Sequence, residues 1–363
     1  MAIKNKSKLI AVDFFCCAGG VTNGFRKAGI KVLGGIDIDR SYKETYEKNN
    51  NGSKFIQADI SHLHYSDLET KLGIKKNMDN LIFVGCSPCQ YYSTLHTNKT
   101  RSSKGKLLLA EFQRFVDYFN PGYIFIENVP GLETKKGSPL DKFKNLILDK
   151  GFVFDDKIIN AVEYNVPQNR KRYVLMASRV KEKISIPVGN PKSIKTVRKA
   201  IGNIKAIPAG YRDKKSLKHW TANLEEINLK RIQNTSKNGG TRLEWKNDSK
   251  LQVKCYIGKD DTFPDVYGRM HWDMPAPTIT TKFHSITNGR FGHPEQDRAL
   301  SLREGAILQS FPKNYKFYSD TIGTIARMIG NAVPPQLAKS IGKRLITCHQ
   351  TLSHARTKKT SSS

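Results

Sequence analysis

Short apolar runs and amphipathic segments alternate through the first half of the chain. KLIAVDFF (8–15), KVLGGIDI (31–38), KFIQADI (54–60), LIFVG (81–85) and YIFIENV (123–129) have the length and apolar density of buried strands. Between them, VTNGFRKAG, SYKETYEKNN and KLLLAEFQRFVDYF (106–119) carry apolar residues at helical spacing, and DKFKNLILDKG is a further helix closed by Gly151. KIINAVEY and RYVLMAS predict two more strands. Strand and helix in alternation predict an α/β fold around a doubly wound, mixed but mostly parallel sheet.

The alternation stops near Ser178. From there to about Arg298 the chain is rich in Lys, Gly, Pro, Asn and Thr, and Tyr211, Trp220, Trp245, Tyr256 and Trp272 are interspersed with basic residues. A second, smaller and more irregular region is expected. Helical patterning returns at SLREGAILQSFP and at ARMIGNAVPPQLAKSIGKRLITCHQTL. The expected organisation is a domain over 1–178, an irregular domain with a hinge over 179–320, a segment over 321–352 that returns to the first domain, and a disordered tail over 353–363.

Charge sharpens this picture. The 363 residues include 61 Lys+Arg against 32 Asp+Glu, a net charge of +29. Such an excess points to a polyanionic partner, because Lys and Arg displace the counterions condensed on phosphates. At 38% hydrophobic and 26% charged residues, the composition is that of a globular chain. No apolar run reaches a membrane-spanning length. The opening MAIKNKSKLIAVDFF has a short apolar stretch interrupted by Asp13, which reads as a first buried strand rather than a signal peptide. Six cysteines without a secretion signal point to a reducing, cytoplasmic setting with free thiols.

Candidate chemistry gathers at the ends of the predicted strands. Gly19, Gly20 and Gly24 follow the first strand, where bare backbone can approach a ligand or make a tight turn. Asp37 ends the second strand, at the distance from those glycines at which an acid binds ribose hydroxyls; Asp39 suits a helix N-cap. Asp59 ends the third strand and could accept from an adenine amino group. FVGCSPCQYYST (83–94) follows the fourth, with Cys86 and Cys89 in C-x-x-C spacing. A redox pair would open a helix directly, and a structural zinc site needs four ligands, whereas Cys16, Cys17, Cys255 and Cys348 form no second C-x-x-C. A single exposed nucleophile needs neither. Glu127 and Asn128 end the fifth strand, and QNRKR (168–172) alternates Gln168, Arg170 and Arg172 along an extended segment.

These strings, in this order, resemble the bacterial DNA (cytosine-5) methyltransferases of the restriction–modification type. DFFCCAGGVTNGF resembles that family's cofactor loop, GIDIDRSYKETYEKN and QADI its next two motifs, PCQ (88–90) its catalytic motif and ENV (127–129) its acid motif. QNRKR matches Q-x-R-x-R, RALSLREGAILQSFP the penultimate motif, and GNAVPPQLA (330–338) the last, which returns to complete the cofactor site. The resemblance spans nearly the whole chain. Two positions depart from it: Cys17 stands where the loop usually has Gly, and Tyr91-Tyr92 where Pro-Phe follows PCQ.

The resemblance implies an S-adenosylmethionine-dependent enzyme of Rossmann-like fold that methylates carbon 5 of a cytosine flipped out of duplex DNA. Cys89, presented by Pro88, would add to carbon 6; Glu127 would hydrogen-bond or protonate ring nitrogen 3; Arg170 and Arg172 would hold the base carbonyl and support the catalytic loop, with Arg172 the favoured carbonyl contact; Asn128 would orient the Pro88 turn or the exocyclic amine. Cofactor contacts would come from Phe15, Cys16, Ala18, Gly19, Gly20, Asp37, Ile38, Asp59, Ile60, Pro88, Asn331, Ala332 and Val333. The implied DNA contacts are Ser87, Gln90, Ser93, Arg101 and Lys104 in the loop after the fourth strand, and Thr280, Thr281 and Arg290 near the end of the irregular region. No metal is required. The family works as a monomer on nucleoid DNA, with a cognate restriction endonuclease as a functional rather than physical counterpart. The rival readings are a tRNA cytosine-5 methyltransferase and a catalytically silent, sequence-specific DNA-binding protein.

Overall fold

The computed structural model describes residues 8–88, 103–135, 137–192, 194–213 and 218–359; for 103–106 and 352–359 the backbone alone is described. The chain divides into two compact units. The first comprises Met1–Asn160, Lys171–Gly189 and Val333–Ser363; the second comprises Ala161–Arg170 and Asn190–Ala332. The breaks therefore fall at 189/190 and 332/333, later than the 178/179 and 320/321 read from the sequence, and a ten-residue excursion joins the second unit early.

The first unit is built on seven strands: β1 (Ile10–Phe14), β2 (Lys31–Asp37), β3 (Lys54–Gln57), β4 (Leu81–Gly85), β5 (Tyr123–Asn128), β6 (Val153–Asn160) and β7 (Lys171–Ser178). Their order across the sheet is β3-β2-β1-β4-β5-β7-β6. The pairs β2–β3, β1–β2, β1–β4 and β4–β5 are parallel; β7 is antiparallel to both β5 and β6. The mixed, doubly wound sheet is the expected one. Strand order reverses between β1 and β4, and crevices that take ligands in such sheets open beyond the carboxyl ends of the strands at that point.

Helices α1 (Gly20–Ala28), α2 (Lys43–Asn49), α3 (Tyr65–Leu72), α4 (Ser103–Phe119), α5 (Gly131–Thr134) and α6 (Leu140–Asp149) connect the strands. Phe14, Phe83, Phe112, Phe115 and Phe119 are fully buried between sheet and helices. Phe14 meets the rings of Phe83 and Phe112 edge-on at 5.1 and 5.2 Å, the geometry aromatic quadrupoles prefer. Gly85 is bare because a Cβ there would come within 2.6 Å of the Phe112 ring.

The second unit has short helices, α7 (Val197–Ile201), α8 (Glu226–Gln233), α9 (Leu302–Leu308) and α10 (Ile322–Gly330), in largely irregular chain. Irregular backbone leaves carbonyls without ladder partners, and buried carbonyls need donors. Arginines supply them. Arg269, fully buried, donates to the carbonyls of Thr235, Ile232, His293 and Gln296. Arg242 donates to those of Lys259, Asp260 and Thr262. Part of the positive charge expected on a DNA-facing surface is thus internal scaffolding.

Returning to the first unit, α11 (Pro335–Lys359) packs on α1. Gly24 permits this contact: a Cβ there would meet Ala338 Cβ and the Pro335 carbonyl oxygen at 2.5 Å. The single helical pattern read across 326–352 is two helices, because Pro334 and Pro335 lack the N–H groups that continuation would need. Residues 353–359, read from the sequence as a disordered tail, continue α11. Among the described residues, no helix is long and apolar enough to cross a membrane.

Candidate active site

The loop that follows β1 is shaped by left-handed backbone. After β1 the chain passes through Phe15 (φ 61°), Cys17 (φ 48°) and Gly19 (φ 84°) before α1 begins. Cys16 N donates to the Ile36 carbonyl at 3.0 Å, fastening the loop to β2. Gly35 leaves room for it, since a Cβ there would meet Cys16 Sγ and the Tyr46 ring at 2.6 Å. Cys17, at the position where the resemblance leads one to expect Gly, holds a conformation that costs a non-glycine residue on the order of 1–3 kcal/mol. Its N–H donates to Asp37 Oδ2 at 2.9 Å, and its thiol is buried.

Asp37 ends β2 and also accepts from Asp39 N at 3.0 Å through Oδ1. Burial raises its carboxyl, opposed by the backbone N–H groups of Asp39, Cys17 and Ile38. Ile38 beside it is 63% exposed, an apolar side chain standing where the sheet opens. Asp39 accepts from Ser41 N, as the N-cap reading expects. Asp59 likewise caps a turn over Ile60–His62, accepting from Ser61 N at 3.0 Å, while Ile60 is buried. Cys16 and Ala18 are buried in the loop, Gly20 is buried at the start of α1, and Phe15 is partly buried.

One buried acid beneath the loop was passed over in the sequence. Asp13 lies in β1, accepts from Thr22 Oγ1 at 2.7 Å, and Thr22 Oγ1 in turn meets Tyr46 OH at 3.0 Å. Gly19 has no side chain to cap α1, so Asp13 reaches its first turn from the strand below. Burial pushes the Asp13 carboxyl up to about 7. Its signal in the sequence was a lone acid within an apolar strand.

The second cluster lies at the ends of β4 and β5. Asn128 Nδ2 donates to the Ser87 carbonyl at 3.1 Å, and Val129 N donates to Asn128 Oδ1 at 2.7 Å, so Asn128 braces the chain entering Pro88. Ser87, read from the sequence as a DNA contact, is buried and turned toward Asn128. Pro88 is exposed. Burial, reinforced by the nearby Glu127 charge, holds the Cys86 thiol well above its ordinary value. Cys86 is therefore a protonated thiol and a poor nucleophile. Glu127 pairs with Val174 across β5 and β7, and its Oε1 lies 3.2 Å from Arg172 Nε. That contact lacks hydrogen-bond alignment, so among the described residues Glu127 Oε1 is a buried oxygen with no hydrogen-bond donor. Cys89, Gln90, Ser93 and Arg101 lie outside the described residues, as does the side chain of Lys104.

The second unit contains the other half of Q-x-R-x-R. Arg170 is buried and donates to the carbonyls of Ile279 at 3.2 Å and of Gly330 and Ala332 at 3.4 Å, so it braces the chain around those residues. Arg290, expected on DNA, directs Nε to Asp265 at 2.7 Å and Nη1 to the carbonyls of Gly239 and Arg269. Thr280 and Thr281 are partly exposed, Asn331 is exposed and Ala332 is buried in this unit; Val333, also buried, opens the last segment of the first unit. Among the described residues, no group of three His, Cys, Asp or Glu side chains could hold a metal ion.

Comparison with known proteins follows the same lines. The family model for C-5 cytosine-specific DNA methylase matches residues 9–347. The type II methylase M.HgiDII of Herpetosiphon aurantiacus is 39% identical over 340 residues, covering 92% of this chain and 94% of that protein. The type II methyltransferase M1.HphI of Haemophilus parahaemolyticus is 30% identical, covering 93% and 87%. Among solved structures, an E. coli prophage protein described as a DNA modification methyltransferase matches 94% of this chain and 100% of its own, with a TM-score of 0.73 at 22% identity. The Dnmt2 methyltransferase of S. pombe matches 95% and 99%, with a TM-score of 0.61 at 17% identity. These two structural likenesses bear on the fold.

Proposed function

The chain belongs to the C-5 cytosine-specific DNA methylase family, so its reaction is methyl transfer to carbon 5 of cytosine in DNA, and from that premise we propose a covalent route through Cys89. Carbon 5 of cytosine is a weak nucleophile. Addition of the Cys89 thiolate to carbon 6 makes carbon 5 an enamine carbon, and negative charge develops toward ring nitrogen 3. A proton held between Glu127 and nitrogen 3 offsets that charge as it develops. Arg172 holds the Glu127 carboxyl and the base carbonyl. After methyl transfer, loss of the carbon 5 proton and elimination of Cys89 restore the ring.

The observation that carries this reading is Glu127 itself. Among the described residues, Glu127 Oε1 is buried at a strand end beside Arg172 but has no hydrogen-bond donor, and a ligand that shares a proton with it would offset the cost of that burial. Glu127 lies beside Cys86, three residues before Cys89 in the chain. A base inside a stacked duplex cannot reach such a position, so the target is flipped.

We propose S-adenosylmethionine as the cofactor. The fit rests on the left-handed loop from Phe15 to Gly19, on Asp37 poised to accept from ribose hydroxyls, and on the exposed Ile38 as an apolar face for adenine. When bound, it supplies an electrophilic methyl group. The resemblance adds Asp59, Asn331 and Val333 to its contacts. The second unit is the proposed target recognition domain, with Thr280 and Thr281 meeting DNA. A cognate restriction endonuclease, monomeric action and a place on cytoplasmic DNA complete the proposal.

The test uses labelled S-adenosylmethionine with duplex DNA or with tRNA. Label on DNA is expected. Label on RNA alone overturns the reading in favour of a tRNA methyltransferase, and binding of DNA without label on either favours a silent DNA-binding protein.

A further inference from the structure

Two fully buried glutamines in the second unit do no chemistry in the reaction above. Gln168 and Gln309 are both 0% exposed. Gln168 Nε2 donates to the Leu308 carbonyl at 3.0 Å and to Gln309 Oε1, while Gln168 Oε1 accepts from Ile279 N at 3.0 Å. Gln309 Nε2 donates onward to the carbonyls of Ile329 at 2.9 Å and Ala332 at 2.8 Å. The result is a continuous relay: Ile279 amide, Gln168, Gln309, Ala332 carbonyl. Arg170 runs beside it, from the Ile279 carbonyl to those of Gly330 and Ala332. The Ile279 carbonyl is thus held by Arg170, which also bonds the turn at Gly330 and Ala332, and the Ile279 N–H by Gln168, which reaches that turn through Gln309.

Backbone contact closes the same junction. A Cβ on Gly330 would lie 2.4 Å from Thr280 C and 2.5 Å from Thr281 N, so the end of α10 is pressed against the tract that carries both threonines. Upstream, Ala276 N donates to the Pro167 carbonyl, Asn169 N to the Ala276 carbonyl, and Thr278 Oγ1 to the Asn169 carbonyl. An apolar pair would fill the space of two buried amides at lower desolvation cost. The amides instead fix one register between two segments.

We propose that Gln309, acting with Gln168, is a positioning residue that makes the Thr280–Thr281 tract and the Gly330–Ala332 turn one body, so that a ligand ordering the turn also orders the tract. This rests on the reading above, in which the tract meets DNA and Asn331 meets the cofactor. Both glutamines are fully buried. Their effect is to pass order between residues that meet a ligand.

The first test is a double-mutant cycle of Gln168→Met and Gln309→Met, near-isosteric changes that break the relay. Affinity is measured for S-adenosylmethionine by calorimetry, and for a duplex carrying the recognised sequence once bisulfite sequencing of a genome expressing the protein has identified it. In variants that melt as the parent does, each single change is expected to weaken both affinities about tenfold, and the double change also about tenfold, because one relay is lost only once. A roughly hundredfold loss in the double variant, or one affinity unchanged in both singles, overturns the proposal. The second test needs no substitution: amide hydrogen exchange with S-adenosylmethionine alone. Slowed exchange is expected at 329–333 and also at 278–283. Slowing at 329–333 with none at 278–283 overturns the relay. No slowing anywhere, including around Asp37, overturns the proposed function and the relay with it.

Discussion

Glu127 Oε1 and Arg172 Nε face each other at 3.2 Å across the antiparallel pair β5 and β7, with side chains 8% and 13% exposed. Burial pulls the Arg172 guanidinium below its ordinary value, and the Glu127 charge opposes this. Each group needs the other, since an unpaired charge at this depth is costly. Replacing Glu127 with Gln is expected to lower kcat by about 10²–10³-fold, the size of a lost transition-state contact, while duplex affinity stays within a few-fold. Arg172→Gln should also destabilise the fold by about 3 kcal/mol and so lower the melting temperature, because it strands the carboxylate. Single-turnover rates and thermal melts check the pair.

The two cysteines of the C-x-x-C spacing should separate cleanly. Cys86 is held as a thiol by burial and by Glu127. A duplex containing 5-fluorocytosine should trap an adduct with the parent protein and with Cys86→Ala, and none with Cys89→Ala. Denaturing gels read this directly, and trapping in the Cys89 variant would assign the nucleophile elsewhere.

Asp37 holds the loop through Cys17 N and its own turn through Asp39 N. Asp37→Asn removes a charged acceptor, and hydrogen bonds to charged groups are worth about 1.5–3 kcal/mol. Calorimetry should show S-adenosylmethionine binding weakened about 10–100-fold, with DNA binding in its absence little changed.

Asp13 predicts a pH dependence of stability. Its carboxyl stands at about 7 in the folded chain against 3.8 when unperturbed, so between those values the folded state holds the extra proton. Its contribution is complete below about pH 4 and is lost as pH rises through 7. The difference is on the order of 4 kcal/mol. Asp13→Asn keeps an acceptor for Thr22 and should flatten this decline, so that the variant is the more stable protein at pH 8. Equal slopes in denaturant melts from pH 5 to 8 would contradict it.

In the second unit, Arg298 Nη1 and Nη2 grip the two oxygens of Glu304 at 2.7 Å, both residues being buried. Burial would raise the Glu304 carboxyl, but the Arg298 hydrogen bonds and charge prevail and hold it at about 2. The stability it contributes is present above pH 4.5 and is lost as pH falls through 2. Arg298→Met should destabilise the chain by about 3–5 kcal/mol at pH 7 and by less near pH 3.

The strand and helix order of the first unit was legible in the chain because burial on both faces writes each parallel strand as an apolar run, and each crossover helix as a 3.6-residue period. The strand-end polar residues were legible for the related reason that Asp37, Asp59, Glu127 and Asn128 interrupt or end those runs. Periodicity carries no information about partners far along the sequence. Arg170 and Arg172 look alike in QNRKR, yet one is a strut to Ile279, Gly330 and Ala332 and the other faces Glu127. The same holds for Arg269 and Arg298, whose charge suggests DNA and whose place is the interior. Asp13, Gln168 and Gln309 gain their roles only where separate segments meet. Hydrogen bonds satisfied by such distant groups are decided by packing in three dimensions, and that the linear pattern does not encode.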